Sequence, residues 1–404
     1  MRLLSSRTNP VGLSLILPAL LSIMLLGTGC SLAQLTPRPT VDNGGSASSD
    51  PNPDDSDVSG DPSATMPRAD LPDLPARKLD PTPVLDQSAE LAELKQYMLD
   101  LINRDRADQG LPPVRLGTNT ASQRHAEDML ANSYLAHWGR DGLKPYMRYT
   151  LAGGVDYEAE NVSGPVFREE GVRYVVTPPK ESLAEAQVGL MNSPGHRRNI
   201  LNPWHKIVNL GIACNESACA VSQQFQGDYI EFDRGPVISD GYLGFSGTMT
   251  DGFALSGVQV WYDPPPHPLT LGQLDATHSY GLGRPVVFLR RPLDKNSYYT
   301  ENSSEFEWES GVDPYEVDPN TPRAKPICDG DVCSYPPTPP SKVYTTDVPW
   351  VTAEVWDVAE GDFTVVADIS EVLNAYGPGV YTVSVWADRD NDSVPLTRYS
   401  IFVK

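Results

Sequence analysis

Glu181-Ser182-Leu183-Ala184-Glu185-Ala186-Gln187-Val188-Gly189-Leu190-Met191-Asn192, then Ser193-Pro194-Gly195-His196-Arg197-Arg198-Asn199-Ile200-Leu201, decides the fold of the first half. The first twelve residues suit a helix. The Ser-Pro-Gly turn stops it, because proline lacks an amide donor and restricts the residue before it. Two strand-like runs follow, Ile207 to Ala213 and Ala218 to Phe225. Cys214 and Cys219 straddle their connection, so a disulfide there would staple a hairpin.

Upstream, Leu91, Leu94, Met98, Leu101 and Ile102 recur at three- and four-residue steps, one face of an amphipathic helix. Ser88 suits its N-cap, Gly110 its stop, and Pro112-Pro113 forbids continuation. Further helices are predicted over Thr120–Asn132 and Lys144–Leu151. Helices followed by an antiparallel hairpin over residues 88–232 predict an α+β sandwich. Beyond Phe232 the texture changes to short β-rich runs between Gly, Pro and Asn/Asp turns: Val258–Tyr262, Val286–Leu289, Val351–Val355, Phe363–Val366, Val380–Trp386 and Tyr399–Val403. Residues 233–404 therefore read as an all-β, sandwich-like domain with one helical turn near Ile369–Ala375. A Pro- and Asp-rich insertion, about 293–342, interrupts it and carries Cys328 and Cys333.

Arg2 and Arg7 precede an apolar run that ends in Leu26-Gly27-Thr28-Gly29-Cys30. The run has the layout of an export signal and is shorter than a spanning helix. Its end resembles a bacterial lipobox, although Gly27 stands where a branched aliphatic is preferred. Residues 1–29 are thus expected to be a lipoprotein signal peptide, with Cys30 lipidated as the first mature residue. A plain cleaved signal is the alternative. Residues 30–87 are Pro, Asp, Ser and Gly with few aliphatics; they cannot bury enough apolar surface to offset their ordering entropy and read as a disordered stalk. Such a chain spans roughly 40–45 Å r.m.s.. The expected localisation is extracytoplasmic, on the cell surface or in a periplasm, with the membrane reached through the lipid.

The chain has five cysteines. With Cys30 set apart, Cys214/Cys219 and Cys328/Cys333 remain as two local pairs, read as disulfides in an oxidising compartment; a shared zinc ribbon is the weaker alternative. The net charge is −22 over 404 residues. Nothing here resembles the basic face of a nucleic-acid binder, and none is expected as partner.

The chemistry-bearing residues cluster in the first folded part. His137 lies in Leu135-Ala136-His137-Trp138-Gly139-Arg140-Asp141-Gly142, Glu160 in Ala159-Glu160-Asn161-Val162, and His196 in the stretch quoted first. Together with Leu101-Ile102-Asn103-Arg104-Asp105-Arg106 and Ala126-Glu127-Asp128-Met129, these motifs resemble the CAP superfamily, also called the SCP-like or cysteine-rich secretory, antigen 5 and pathogenesis-related group. The resemblance covers about Leu91 to Phe232. It implies a three-layer α-β-α sandwich with a cleft of two histidines and two acids, in which some members bind zinc. By position His137 and His196 match the histidines and Glu160 one acid. The helix acid is missing: Gln187 to Ser193 contains none, and Glu185 lies a turn upstream.

Two imidazoles and a carboxylate suit Zn2+ with an open water position, and a zinc-bound water would make a hydrolase of the peptidase kind. The other reading has the three residues bonding one another around a cleft that binds a small apolar molecule, lipid, glycan or envelope protein. His125 sits on the inner stripe of its helix and reads as a core histidine; His205, after Pro203-Trp204, reads as a surface one. In the second domain Asp388, Asp390 and Asp392 alternate on a loop in the manner of Ca2+ ligands, or form an acidic hairpin turn. The loop is not an EF-hand, since Ser393 stands where glycine is required.

Overall fold

The computed structural model describes residues 88–164, 177–215, 219–277, 279–325, 327–329, 332–334, 341–359 and 361–404. The expected signal peptide, Cys30 and the stalk lie outside these residues. No described helix is long and apolar enough to cross a membrane.

The first half runs α1 (Ser88–Ala107), β1 (Arg115–Leu116), α2 (Ala121–Asn132), α3 (Pro145–Leu151), β2 (Glu158–Ser163), α4 (Pro179–Asn192), α5 (Pro194–Ile200), β3 (Ile207–Cys214) and β4 (Cys219–Gln226). Each predicted helix and both hairpin strands are present within about two residues, apart from the α1 end. The sheet order is β1-β3-β4-β2, with β1 parallel to β3 and the rest antiparallel. Cys214 and Cys219 pair in register and are disulfide-bonded, closing the hairpin as expected.

The two sheet faces differ in chemistry. On β4 the alternation puts Cys219, Val221 and Phe225 with Met98, Ile102, Leu183, Val208, Leu210 and Ile212 in one apolar cluster under α1 and α4. The opposite face of the same strand carries Ser222, Gln224 and Gln226, all buried. Their partners lie toward α2 and α3: Ser122 Oγ donates to Gln224 (3.0 Å), Gln224 Nε2 to the Pro145 carbonyl (3.4 Å), and Gln226 Nε2 to Asp156 (2.8 Å). Buried amides are stable only when hydrogen-bonded, so this face holds a connected polar layer instead of a second oil-like core. Helix α2 lies close on β3 because Gly211 has no side chain; a Cβ there would collide with the Ser122 carbonyl.

The second half contains β5 (Ile230–Ser239), β6 (Tyr242–Met249), β7 (Ala254–Asp263), α6 (Leu271–Asp275), β8 (Arg284–Arg290), β9 (Ser303–Ser310), β10 (Ile327–Asp329), β11 (Val332–Ser334), β12 (Lys342–Thr352), β13 (Val355–Ala359), β14 (Asp362–Asp368), α7 (Ser370–Tyr376), β15 (Gly379–Arg389) and β16 (Asp392–Val403). A six-stranded sheet, β16-β15-β7-β8-β12-β9, and a four-stranded sheet, β13-β14-β6-β5, share one core that includes Leu243, Phe245, Val260, Val287, Phe363, Val365, Tyr381 and Val383. This is the expected all-β sandwich, and α7 is the expected helical turn. Two details differ from the reading of the sequence. β5 starts at Ile230, so the second sheet set takes up the chain before residue 233. The Pro- and Asp-rich insertion contributes β9, an edge strand paired with β12 along eight positions from Lys342↔Ser310 to Pro349↔Ser303. Its inward aromatics Phe306 and Trp308 alternate with glutamates, which composition alone disguises. Cys328 and Cys333 are cross-strand partners of the β10–β11 hairpin; their side chains lie outside the described residues.

The halves meet along a polar and aromatic seam. Lys144 Nζ bonds Asp263 Oδ1 (2.6 Å) and the Gly281 carbonyl (2.9 Å), and Tyr146 donates to Asp263 Oδ2 (2.9 Å). The amide of Tyr157 donates to the Leu396 carbonyl (2.7 Å), the Thr397 hydroxyl to the Val155 carbonyl, and Arg398 lies 4.3 Å from the Tyr157 ring. Gly142, at φ +79°, turns the loop after His137 so tightly against His267 and Tyr315 that a side chain there has no room.

The Lys144–Asp263 pair is almost dry, with side chains 5% and 9% exposed. Removing one partner strands a buried charge. Asp263→Ala should therefore cost about 3–5 kcal/mol in urea unfolding of the full chain, whereas Lys144→Met with Asp263→Leu should recover much of it. An Asp263→Ala loss under about 1 kcal/mol would show that the seam does not depend on this pair.

Candidate functional site

Glu160 sits on β2, at the edge of the first sheet, with its side chain on the polar-layer side. It is 1% exposed. Four side chains converge on its carboxylate. Arg148 Nη2, from α3, reaches both oxygens at 3.2 and 3.1 Å. His137 Nδ1 lies 3.1 Å from Oε1, Ser222 Oγ donates to Oε2 at 3.1 Å, and His125 Nε2 stands 4.0 Å from Oε1. Burial by itself would raise this carboxyl; the Arg148 charge, then His125 and His137, hold it down at about 2. It is a permanent anion.

His137 comes from the loop after α2, where it is 4% exposed. With Glu160 accepting at Nδ1, the ring carries a proton there. His196 is the third residue of α5 and is half-buried; its ring centre is 6.3 Å from that of His137. Burial, then the neighbouring His137, press its pKa down to about 4, so it is neutral at pH 7. The loops are tied from behind: Asn161 Nδ2 donates to the His196 carbonyl (3.2 Å), and Asn199 Nδ2 to Asn161 Oδ1 (2.9 Å). The predicted trio is thus brought to one place.

The structure adds members that the sequence did not offer. Arg148 belongs to no motif singled out in the sequence, yet its side chain is 9% exposed and neutralises Glu160. Tyr280 comes from the second domain. Its hydroxyl accepts the Glu160 amide hydrogen (3.1 Å), and its ring centre lies 4.8 Å from that of His137. The edge of β2, which would otherwise present unpaired backbone groups, is covered in this way by a residue 120 positions away. His125 is the buried core histidine expected, bonded to the Ala136 carbonyl at 2.9 Å. It also belongs to the Glu160 cluster. His205, expected at the surface, is 3% exposed. The turn after α5 folds it back onto β4, where it stacks at 5.4 Å on Phe225 and bonds the Asn199 carbonyl at 2.8 Å.

The helix acid is absent from the structure too. Gln187 is buried, donates to Asp105 (2.8 Å) and accepts from Gln223 (2.8 Å); Glu185 is exposed. As a metal centre the trio fits poorly. The lone pairs of Glu160 face a guanidinium, an imidazole N–H and a hydroxyl, which leaves no free face for a cation. Among the described residues no group of three His, Cys, Asp or Glu is placed to hold a metal ion. That includes Asp388, Asp390 and Asp392: β15 and β16 pair through Arg389↔Asp392, so the three acids sit exposed on a tight hairpin turn.

Residues 99–225 match the cysteine-rich secretory protein family, CAP. This is the stretch, and the family, that the motifs resemble. A stretch of 144 residues is 29% identical to the uncharacterized protein YkwD of Bacillus subtilis (strain 168), covering 34% of this chain and 49% of that protein. The chain thus spans about half the length of this curated relative. Among solved structures, it is similar to an extracellular protein containing an SCP domain from Bacillus anthracis str. Ames (TM-score 0.26, 24% identity, 33% of this chain and 40% of that one). It is also similar to an outer surface protein from Borrelia burgdorferi (TM-score 0.27, 14% identity, 33% of this chain and 92% of that one).

Two other acids of this region titrate in the opposite sense to Glu160. Burial pushes Asp156 up to about 7 and Glu158 up to about 8; Asp228 adds to the first and the Glu160 charge to the second. In the unfolded chain both would titrate near ~4. On these two sites the folded protein therefore keeps protons that the unfolded chain has lost, and the stability they contribute falls as pH rises from about 4 to about 8. Glu160 works the other way, its contribution being lost only as pH falls toward about 2. Below about pH 6.5 the buried histidines His125, His196 and His205, pressed down to about 3, 4 and 3, oppose this, so the melting temperature should decline only between about pH 6.5 and pH 8, with a shallower decline in Glu158→Gln, whose amide has no proton to lose. An identical slope in that variant would dismiss the buried-acid account.

Proposed function

With a CAP domain over residues 99–225 as premise, we propose that this is an exported envelope protein, anchored by lipid on Cys30, that works by binding and not by hydrolysis. Its ligand is a small apolar molecule, lipid, glycan or envelope partner taken at the mouth of the His137–Glu160–His196 cleft. The observation that carries this reading is the saturation of Glu160. A general base needs a free lone pair and a pKa near the working pH; a metal ligand needs an unopposed one. Glu160 has neither, being ion-paired to Arg148, bonded by His137 and Ser222 and held at about 2.

The same bonds make the cleft a rigid frame. The ionised carboxylate holds the His137 loop against β2 and fixes the imidazole tautomer, while Asn161 and Asn199 hold the α5 loop opposite. Around this frame the half-buried rings of His196 and Tyr280 offer an amphipathic rim, polar at their edges and apolar on their faces. Because Tyr280 belongs to the second domain, the rim is built from both halves of the chain. The hydrolytic alternative, with Zn2+ on His137, Glu160 and His196, would have to displace the Arg148 guanidinium first.

The full soluble chain, purified without added metal, should carry well below one equivalent of zinc by elemental analysis. His196→Ala and Tyr280→Ala should change which small molecules are retained on organic extraction while leaving the fold intact. Stoichiometric zinc, together with a chelator-sensitive hydrolysis lost in His196→Ala, would overturn the binding reading. Cys30→Ser should move the protein from the membrane to the soluble fraction; unchanged membrane retention would remove the lipid anchor from the proposal.

A further inference from the structure

A second polar recess lies on the first domain and shares no residue with the cleft. It is a groove of about 340 Å3 between α1 and the β1–α2 connection, lined by Lys95, Arg124, Thr118, Asn119, Thr120 and Gln123. No acid lines it, in a chain whose net charge is −22.

Two of these side chains are already committed. Asn119 donates to the Tyr149 carbonyl (3.1 Å) and accepts from the Ala121 amide (2.9 Å). Gln123 donates to Glu127 (3.0 Å) and to the Ile212 carbonyl (2.9 Å). The other four make no side-chain hydrogen bond or ion pair among the described residues. Thr120 precedes α2 without capping it, so its hydroxyl is unspent.

Lys95 is half-buried, and burial lowers its pKa. Glu127 is the opposing charge that acts on it, but the two form no ion pair, and Glu127 is held by Gln123. A partly desolvated ammonium without a carboxylate costs free energy that a bound anion would return. Arg124 adds a planar fork of donors one turn into α2, suited to bidentate contact with a tetrahedral oxyanion.

From these side chains we infer that the groove is a binding site for a phosphate-class oxyanion, held by Lys95 and Arg124 with the Thr118 and Thr120 hydroxyls. The volume exceeds that of a bare phosphate and matches small-molecule sites, so the ligand is a phosphorylated body of about the size of a sugar. This site does not depend on the cleft reading. A molecule could occupy it in a protein whose cleft holds nothing.

The test uses the full soluble chain at low ionic strength, about 0.05 M, where surface charge is least screened. Inorganic phosphate, glucose 6-phosphate and glucose are titrated separately, with backbone amide shifts of residues 117–124 as readout and thermal melting as an independent measure. Both phosphates should give saturable shifts and raise the melting temperature, glucose 6-phosphate more tightly. Lys95→Gln with Arg124→Gln should weaken both at least about tenfold. Lys95→Arg, which keeps the charge, should bind near the native level. Equal affinity for both phosphates would show that the anion alone is recognised, overturning the sugar-sized part of the inference. No saturable shift with either phosphate, or shifts equal in the native chain and the double variant with melting unchanged, would overturn the site itself. Neither result bears on metal content or retention in the cleft.

Discussion

One ion pair sets the terms for the first domain: Arg148 against Glu160, at the edge strand of a sheet and out of water. A buried carboxylate is tolerated only when its charge is answered and its lone pairs are filled. Arg148, His137 and Ser222 meet that demand from a helix, a loop and a strand, so satisfying one charge brings three elements together. The cleft geometry is a by-product of this electrostatic requirement. It explains why the anion beside His137 is too well satisfied to take up protons near neutral pH.

The pair also organises the rest of the polar layer. Between the sheet and α2/α3 lie Ser122, Gln224, Gln226, Asp156 and Asn209, most with a named partner. Across the sheet the α1/α4 layer is ordinary apolar packing. Apolar contacts are non-directional and forgive small shifts, whereas amide networks are satisfied in few arrangements. The registration of α2 and α3 on the sheet therefore comes from hydrogen bonds, and that of α1 and α4 from volume.

What is legible in the sequence follows the same division. The α1 stripe, the hairpin with its disulfide and the alternation in β15 carry periodic apolar signals, and all are found in place. β2 is invisible as a strand because Glu158-Ala159-Glu160-Asn161 is buried on both faces while reading as polar. Arg148 is passed over and His205 is placed at the surface for a related reason: their burial is created by partners distant in sequence. His137, Glu160 and His196 can be named because short motifs fix them locally. Tyr280 cannot, since nothing near residue 280 announces that its hydroxyl meets an amide on the edge of another domain's sheet.

That contact joins the two halves of the chain at Glu160, and under the proposed binding function it makes them one recognition unit. On that proposal the first domain supplies the frame and the second part of the rim, so the polarity at the proposed opening is set by a loop of a sandwich that has its own, separate core. Such an arrangement lets the opening be re-cut by altering the loop around Tyr280 while the charged frame beneath stays untouched. The division resembles that between a fixed lock body and an exchangeable faceplate: the part that must not change and the part free to vary are encoded far apart in the chain.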